Sequence, residues 1–159
     1  MTSHCATAPT PSRSASFLLV RHAEVTDEDP DDPGLSAAGL ARAAALARHL
    51  QHTALAGIEV TEFQRTQQTA APTAVQQKRR PVRYFSRGDA METTQRWQQH
   101  YRHGQVLVIG DGETLNALAA ALCRCAVSPR DTSEYDHVMI VTPAASGPGQ
   151  VVDKRLPPS

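Results

Sequence analysis

The chain has 159 residues, a length that suits one compact domain with a core large enough to need no disulfide or metal. Its 16 basic and 16 acidic side chains cancel, so no net charge draws the molecule onto nucleic acid or an anionic membrane, and we expect neither as a partner. No segment has the apolar length of a membrane-spanning helix, and the first residues lack the apolar core of a secretory signal.

The first residues are mostly Ser, Thr, Pro and Ala. Residues 1–16 could bury too little apolar surface to offset the loss of chain entropy, which predicts a disordered leader before a single domain over residues 17–159. The three cysteines are Cys5, Cys123 and Cys125. We expect the last two, a C-x-C pair on a helix, to be poorly placed for a disulfide, and the spacing of the set does not fit zinc. These features predict a reducing, cytoplasmic location.

Strand and helix patterns alternate along the predicted domain. Apolar and β-branched runs predict strands at 17–20, 58–60, 82–85, 106–109, 137–142 and 150–156. Helical patterns fall between them, at about 36–50, 65–77, 89–102 and 115–122. The alternation predicts an α/β fold in which helices cover both faces of an open, mostly parallel sheet, and the last two strands form a C-terminal hairpin.

Polar residues follow the two strongest predicted strands, and in open α/β sheets ligands bind beyond the carboxyl ends of strands. Arg21 and His22 come directly after the strand at 17–20, and Asp111 follows the strand at 106–109 after one glycine. Arg65 lies at the start of the helix between them in the chain. We expect the two arginines and the histidine to converge on one anionic ligand.

These segments resemble, in order, the motifs of the histidine phosphatase superfamily, which has the phosphoglycerate-mutase-like fold. LVRHAE at 19–24 resembles its Arg-His-Gly/Ala motif, and LSAAGLARAAALARHL at 35–50 resembles its Leu-Thr/Ser-x-x-Gly helix. TEFQRTQQTA at 61–70 is similar to the second-arginine motif, and VLVIGDGETLNAL at 106–118 is similar to the second-histidine segment. YDHVMIVT at 135–142 resembles the closing strand, so the resemblance covers nearly the whole predicted domain.

The resemblance implies that His22 attacks phosphorus and forms a phosphohistidine, while Arg21 and Arg65 hold the phosphoryl oxygens. The residue types suit this chemistry, because a neutral imidazole is a nucleophile that divides one displacement into two easier steps. A planar guanidinium offers paired donors to an anionic phosphoryl group. The implied substrate is a small phosphorylated metabolite or phosphohistidine, and no cofactor or metal is expected.

The chain departs from the family's pattern at Asp111, where relatives carry a second histidine. Two unit charges about 4 Å apart interact by ~4 kcal/mol at an effective dielectric near 20, so an anion here would weaken binding or turnover by several powers of ten. Four interpretations stay open: a protonated carboxyl, pairing with Arg21 or Arg65, a bound metal ion, or a deliberately impaired variant. We predict a phosphatase impaired by Asp111, with a phosphate-binding pseudo-phosphatase as the alternative.

The family also uses a carboxylic acid to protonate the leaving oxygen. Asp89 and Glu92 are the two candidates in the segment that supplies it, although Asp89 would also suit a helix N-cap, and neither need act. Arg65 and Asp111 are only 46 positions apart, which leaves no room for the long lid of mutase-type relatives. An open pocket favours hydrolysis over transfer to a second hydroxyl. The chain is therefore closest in size to small bacterial phosphohistidine phosphatases and phosphomonoesterases.

A basic segment, KRRPVR at 78–83 with Arg87, lies between the motif that contains Arg65 and the one that contains Asp111. We interpret it as a solvated face of the domain. Guidance of anionic substrates towards the sheet edge is a second interpretation, and contact with RNA is a third. The sequence leaves the physiological substrate and the oligomeric state open.

Overall fold

Six strands form one sheet in the computed structural model, which describes residues 15–128 and 134–157. In chain order they are β1 (Ser16–Arg21), β2 (Leu55–Val60), β3 (Val82–Arg83), β4 (Gln105–Gly110), β5 (His137–Thr142) and β6 (Gln150–Arg155). The order across the sheet is β3-β2-β4-β1-β5-β6. The first four strands are parallel, and β5 and β6 are antiparallel to their neighbours. The predicted mostly parallel sheet with a C-terminal hairpin is confirmed.

Four helices cover the two faces of this sheet. They are α1 (Ala37–His49), α2 (Gln64–Gln77), α3 (Ala90–His100) and α4 (Gly112–Cys123). Alternate residues of β1 point to opposite faces, so Phe17 packs in the core cluster that includes residues of α3 and α4, whereas Leu18 packs in the cluster that includes residues of α1 and α2. A strand buried on both faces reads as a continuous apolar run, which is why β1 and β4 are the clearest strand signals in the sequence.

Two boundaries differ from the predictions. Of the predicted leader, residues 1–14 lie outside the described residues, but Ala15 is fully buried and Ser16 begins β1, so the ordered domain starts at least two residues before residue 17. Strand β3 is only two residues long instead of the predicted four. Its short run at the edge of the sheet has a pairing partner on one side only, so fewer ladder bonds sustain it.

The expectation that Cys123 and Cys125 would not pair is wrong, because they form a disulfide. That expectation placed both cysteines on one continuous helix. Helix α4 instead ends at Cys123, and Arg124 adopts the left-handed conformation (φ 54°, ψ 43°). The change of chain direction brings the two Cα atoms to 5.1 Å, within the ordinary range for a disulfide. The expectation of unpaired cysteines therefore gives no support for a reducing compartment.

None of the helices within residues 15–128 and 134–157 combines the length and the apolar character that a membrane crossing requires.

Candidate active site

Three of the predicted site residues meet at the carboxyl end of the parallel strands. His22 follows β1, Asp111 follows the neighbouring β4, and Arg65 lies in the first turn of α2. The parallel register pairs Arg21 with Gly110, and the amide of His22 donates to the Gly110 carbonyl oxygen at 3.0 Å. This pairing extends the ladder by one residue and brings His22 and Asp111 to the same edge of the sheet.

The imidazole of His22 is held in one orientation at this edge. The residue is only 6% exposed, and Nδ1 lies 2.8 Å from the carbonyl oxygen of Ala23. Because a carbonyl oxygen can only accept, Nδ1 carries a hydrogen and Nε2 is the nitrogen that can attack a ligand. The amide of Ala23 donates to Thr69 Oγ1 at 2.9 Å, which fixes the loop that carries the imidazole.

The carboxylate of Asp111 lies between Arg65 and His22. Arg65 donates through Nε and Nη2 to the two carboxylate oxygens, each at 3.0 Å, and Oδ1 is 3.2 Å from His22 Nε2. Asp111 is the N-cap residue of α4, yet its side chain makes no capping bond to that helix. The carboxylate contacts Arg65 and His22 instead. Phe63 supports the arrangement, since its ring centroid lies 4.2 Å from the Arg65 guanidinium carbon.

This environment keeps Asp111 ionised. Burial raises the pKa of the carboxyl, but hydrogen bonds from His22 and Arg65, together with their positive charge, outweigh it and hold the pKa well below its ordinary value. Of the interpretations open at the sequence level, pairing with Arg65 rather than Arg21 is the one that the described residues display. Among the described residues, the only group of three or more potential metal ligands is Glu134, Asp136 and His137, and Asp111 does not belong to it.

Arg21, the residue before His22, keeps one donor unused. Its guanidinium carbon lies 4.1 Å from the centroid of the Tyr135 ring, and Nη1 is 3.5 Å from the carbonyl oxygen of Glu134. Its Nε is buried without a hydrogen-bond partner among the described residues. A buried donor without a partner costs free energy, so an anionic oxygen that accepted from Arg21 would be stabilising. Tyr135 also meets the His22 ring edge-on, with the ring centroids 6.1 Å apart.

Glu24 serves the loop after His22 as a structural contact. It accepts two hydrogen bonds from Arg42, at 2.7 and 3.0 Å, and these bonds lower the pKa of Glu24. The hydroxyl of Ser36 accepts from the Gly39 amide and donates to the Glu24 carbonyl. A Cβ at Gly39 would overlap that carbonyl, which explains why a glycine stands four residues after Leu35 in this helix.

The two predicted proton donors are both on or beside the start of α3. Asp89 is the N-cap residue, and its Oδ1 accepts from the amides of Met91 and Glu92 at 2.8 and 3.2 Å. Glu92 is exposed in the first turn of the helix. Neither has its carboxylate bonded to His22, Arg65 or Asp111 in the part of the chain that the structure describes, so a donor role for either stays a prediction.

Sequence reasoning missed a carboxylate that lies closer to Asp111. Glu62 accepts from the amide and the hydroxyl of Ser86, at 2.9 and 2.8 Å. Burial and the charge of Asp111 raise the pKa of Glu62, but the bonds from Ser86 leave it below its ordinary value. Tyr135 and Thr69 were also missed as site residues. A single polar or aromatic residue in a loop or helix forms no periodic pattern. The only signal that could have found these residues is the similarity of the surrounding segments to known motifs.

The fold is an α/β domain of the phosphoglycerate-mutase-like type, and His22, Arg65 and Asp111 meet at the carboxyl edge of its sheet. The family model described as the histidine phosphatase superfamily, branch 1, matches residues 17–87, which contain Arg21, His22 and Arg65. The match covers less than half of the chain, so it records a similarity of this segment to the histidine phosphatase superfamily. The matched segment ends before β4 and does not include Asp111.

No curated protein sequence matches the chain. Among solved structures, the protein histidine phosphatase SixA complexed with tungstate is 19% identical, with 88% of this chain and 96% of that chain covered and a TM-score of 0.71. A protein provisionally assigned as phosphohistidine phosphatase SixA from Nakamurella multipartitia is 19% identical, with 92% and 98% covered and a TM-score of 0.66. One provisionally assigned as an alpha-ribazole-5'-P phosphatase from Escherichia coli is 15% identical, with 90% and 98% covered and a TM-score of 0.67. At these identities the similarity establishes the fold.

Proposed function

We propose that this chain is a histidine phosphatase that hydrolyses a small phosphorylated metabolite or a phosphohistidine through a phosphohistidine intermediate at His22. One observation carries the proposal: the Arg65 guanidinium and His22 Nε2 converge on the two oxygens of a single carboxylate, that of Asp111. The carboxylate marks the place where these residues hold an oxyanion. A phosphoryl group that displaced it would meet the same donors and the unused Nε of Arg21.

The reaction would proceed in two displacements at this place. The lone pair of His22 Nε2 attacks phosphorus, the bond from phosphorus to the leaving oxygen breaks, and that oxygen takes up a proton. Water then attacks the phosphorus of the phosphohistidine, and the P–N bond breaks with its electron pair returning to Nε2. The proton that water loses passes to the carboxylate that protonated the leaving oxygen, for which Asp89 and Glu92 are the candidates, and inorganic phosphate and a neutral imidazole result. The Ala23 carbonyl holds the proton on Nδ1 throughout, which keeps the Nε2 lone pair directed at the ligand.

In the resting arrangement, however, Asp111 competes with the substrate. Both nitrogens of His22 face oxygens that accept, so all of these contacts are satisfied only by an imidazolium, which has no lone pair for attack. The carboxylate must move away from Nε2 and Arg65 before a phosphoryl group can bind. This requirement predicts a low turnover, and it is also the observation that favours the second candidate function, a phosphate-binding module with little or no catalysis.

Hydrolysis of p-nitrophenyl phosphate separates the two functions. We expect measurable activity from the unmodified chain, none from His22→Ala, and a higher rate from Asp111→His. Glu113→Gln is the matched control, because it removes one negative charge from an exposed position in the first turn of α4. Equal rates for the unmodified chain, Asp111→His and His22→Ala would rule out the phosphatase. Activity found only in Asp111→His would favour the phosphate-binding module.

A further inference from the structure

The cationic side chains of this molecule are concentrated in the segment that contains β3, at one edge of the sheet, and α3. Residues 78–103 contain seven lysines and arginines against two acidic residues, although the whole chain has sixteen of each. All seven cations are exposed: Lys78, Arg79, Arg80, Arg83, Arg87, Arg96 and Arg102. We call this surface the basic edge. The zero net charge of the molecule therefore conceals a local positive field that would attract an anionic partner.

A groove runs along the basic edge between β3 and α3. Its volume is about 710 Å³, and Arg83 and Arg96 are among the residues that line it. Two apolar side chains in its lining are exposed, Val82 by 50% and Phe85 by 75%. Its buried carboxylate, Glu59, accepts hydrogen bonds from the Trp97 indole and the Tyr101 hydroxyl. The groove thus offers apolar surface flanked by cations.

The backbone of β3 offers hydrogen bonds to a further strand. β3 is the first strand in the order across the sheet, so only its β2 side is paired. Val82 and Arg83 lie opposite Glu59 and Val60, and the Tyr84 amide donates to the Val60 carbonyl at 2.8 Å. Because successive backbone groups alternate in direction, those of Arg83 point away from β2. An exposed edge of this kind is a template for an added strand.

We infer that the basic edge binds an extended, acidic peptide segment of a protein partner, which lies beside β3 as an additional strand. A segment that alternates apolar and acidic residues fits it. The apolar side chains would cover Val82 and the groove on the α3 face, and the acidic side chains on the other face of the added strand would reach Arg83. Arg96 beside the groove adds to the positive field that attracts the segment. Single-stranded nucleic acid fits less well, because it stacks successive bases on exposed aromatic rings. Of the Phe, Tyr and Trp residues in the lining only Phe85 is exposed, whereas Tyr84, Trp97 and Tyr101 are buried.

This inference goes beyond the proposed function and does not depend on turnover at His22. The groove nevertheless leads towards the pocket. Ser86, just after Phe85, donates to Glu62, and its carbonyl oxygen accepts from Thr114 Oγ1 at 3.3 Å. Glu62 precedes Arg65 by three residues, and Thr114 follows Asp111 by three. A strand bound at β3 would therefore end close to the residues that we propose to bind phosphate.

Fluorescence anisotropy with a labelled twelve-residue peptide of alternating glutamate and valine tests the inference on the full chain. We expect saturable binding that weakens as salt is added. The double variant Arg83→Glu/Arg96→Glu should bind about tenfold more weakly, because the attraction of Arg83 for the acidic side chains becomes repulsion and the field of Arg96 is reversed. The control Arg48→Glu/Lys154→Glu changes the net charge equally at exposed positions on α1 and β6, and it should bind like the unmodified chain.

Three further measurements fix the mode of binding. A peptide of the same composition with all glutamates before all valines should bind more weakly, and amide resonances of residues 82–85 should shift when the alternating peptide is added. His22→Ala should bind like the unmodified chain, so a failed phosphatase assay leaves this test intact. Absence of binding, equal losses in the two double variants, resonance shifts elsewhere, or tighter binding of a labelled twelve-nucleotide uridine RNA would each overturn the inference.

Discussion

Replacing Asp111 by asparagine should increase the affinity of the pocket for inorganic phosphate. The carboxylate oxygens lie 3.0 Å from the Arg65 donors and 3.2 Å from His22 Nε2, so a phosphate that used the same donors would come close to the carboxylate. At about 4 Å and an effective dielectric near 20, each pair of unit negative charges repels by ~4 kcal/mol. The Asp111 side chain is 30% exposed, and solvent screening reduces this repulsion. We expect a gain of ~1–3 kcal/mol, or about tenfold to a hundredfold in affinity.

Isothermal titration calorimetry with inorganic phosphate measures this gain directly. Asparagine keeps the size of the aspartate and removes only its charge, so the change in affinity reports the competition for Arg65. Glu113→Gln is the control, because it removes one negative charge nearby without touching the pair, and it should change the affinity by less than about twofold. If Asp111→Asn bound phosphate no more tightly than the unmodified chain, Asp111 would be a ligand-binding residue and not a competitor.

The same ion pair makes the free energy of unfolding depend on pH in the acid range. Because the pKa of Asp111 is lower in the folded protein than its ordinary value of 3.8, its contribution to stability is complete above that value and is lost as the pH falls through the lower, folded-state pKa. The difference in unfolding free energy between the unmodified chain and Asp111→Asn should therefore be largest near neutral pH and shrink in acid; a constant difference in urea titrations would contradict this. Gly57→Ala should destabilise the fold by ~1–3 kcal/mol in the same titrations, because an added Cβ would overlap the buried Tyr101 ring. Asp89→Ala should cost ~1 kcal/mol by removing the α3 cap, whereas Glu92→Gln should stay within about 0.5 kcal/mol; a selective loss of phosphatase activity in Glu92→Gln would identify Glu92 as the proton donor.

The parts of the site that were predictable are those attached to strong local signals. Arg21 and His22 follow a continuous apolar strand, so their place at the carboxyl end of β1 could be read from the pattern. Asp111 follows β4 for the same reason, and Arg65 was located by the similarity of its segment to a known motif. The position of each of these residues follows largely from the strand or helix segment next to it in the sequence.

Contacts between distant segments were not predictable in the same way. The sequence left open whether Asp111 pairs with Arg21 or Arg65, and the answer depends on the order of strands across the sheet and on the start of α2. The stacking of Arg21 on Tyr135 joins the two ends of the domain. The Cys123–Cys125 disulfide was missed because one left-handed residue, Arg124, ends the helix.

The sequence by itself determined the alternation of strands and helices, the two-sided core and the residues available at the carboxyl edge of the sheet. These features follow from short-range patterns, because the burial of a strand or a helix face selects apolar residues at a fixed period. Only the tertiary structure decided which charges meet. The pairing of Asp111 with both Arg65 and His22 depends on side-chain distances of a few ångströms between three separate segments, and no local pattern encodes such distances.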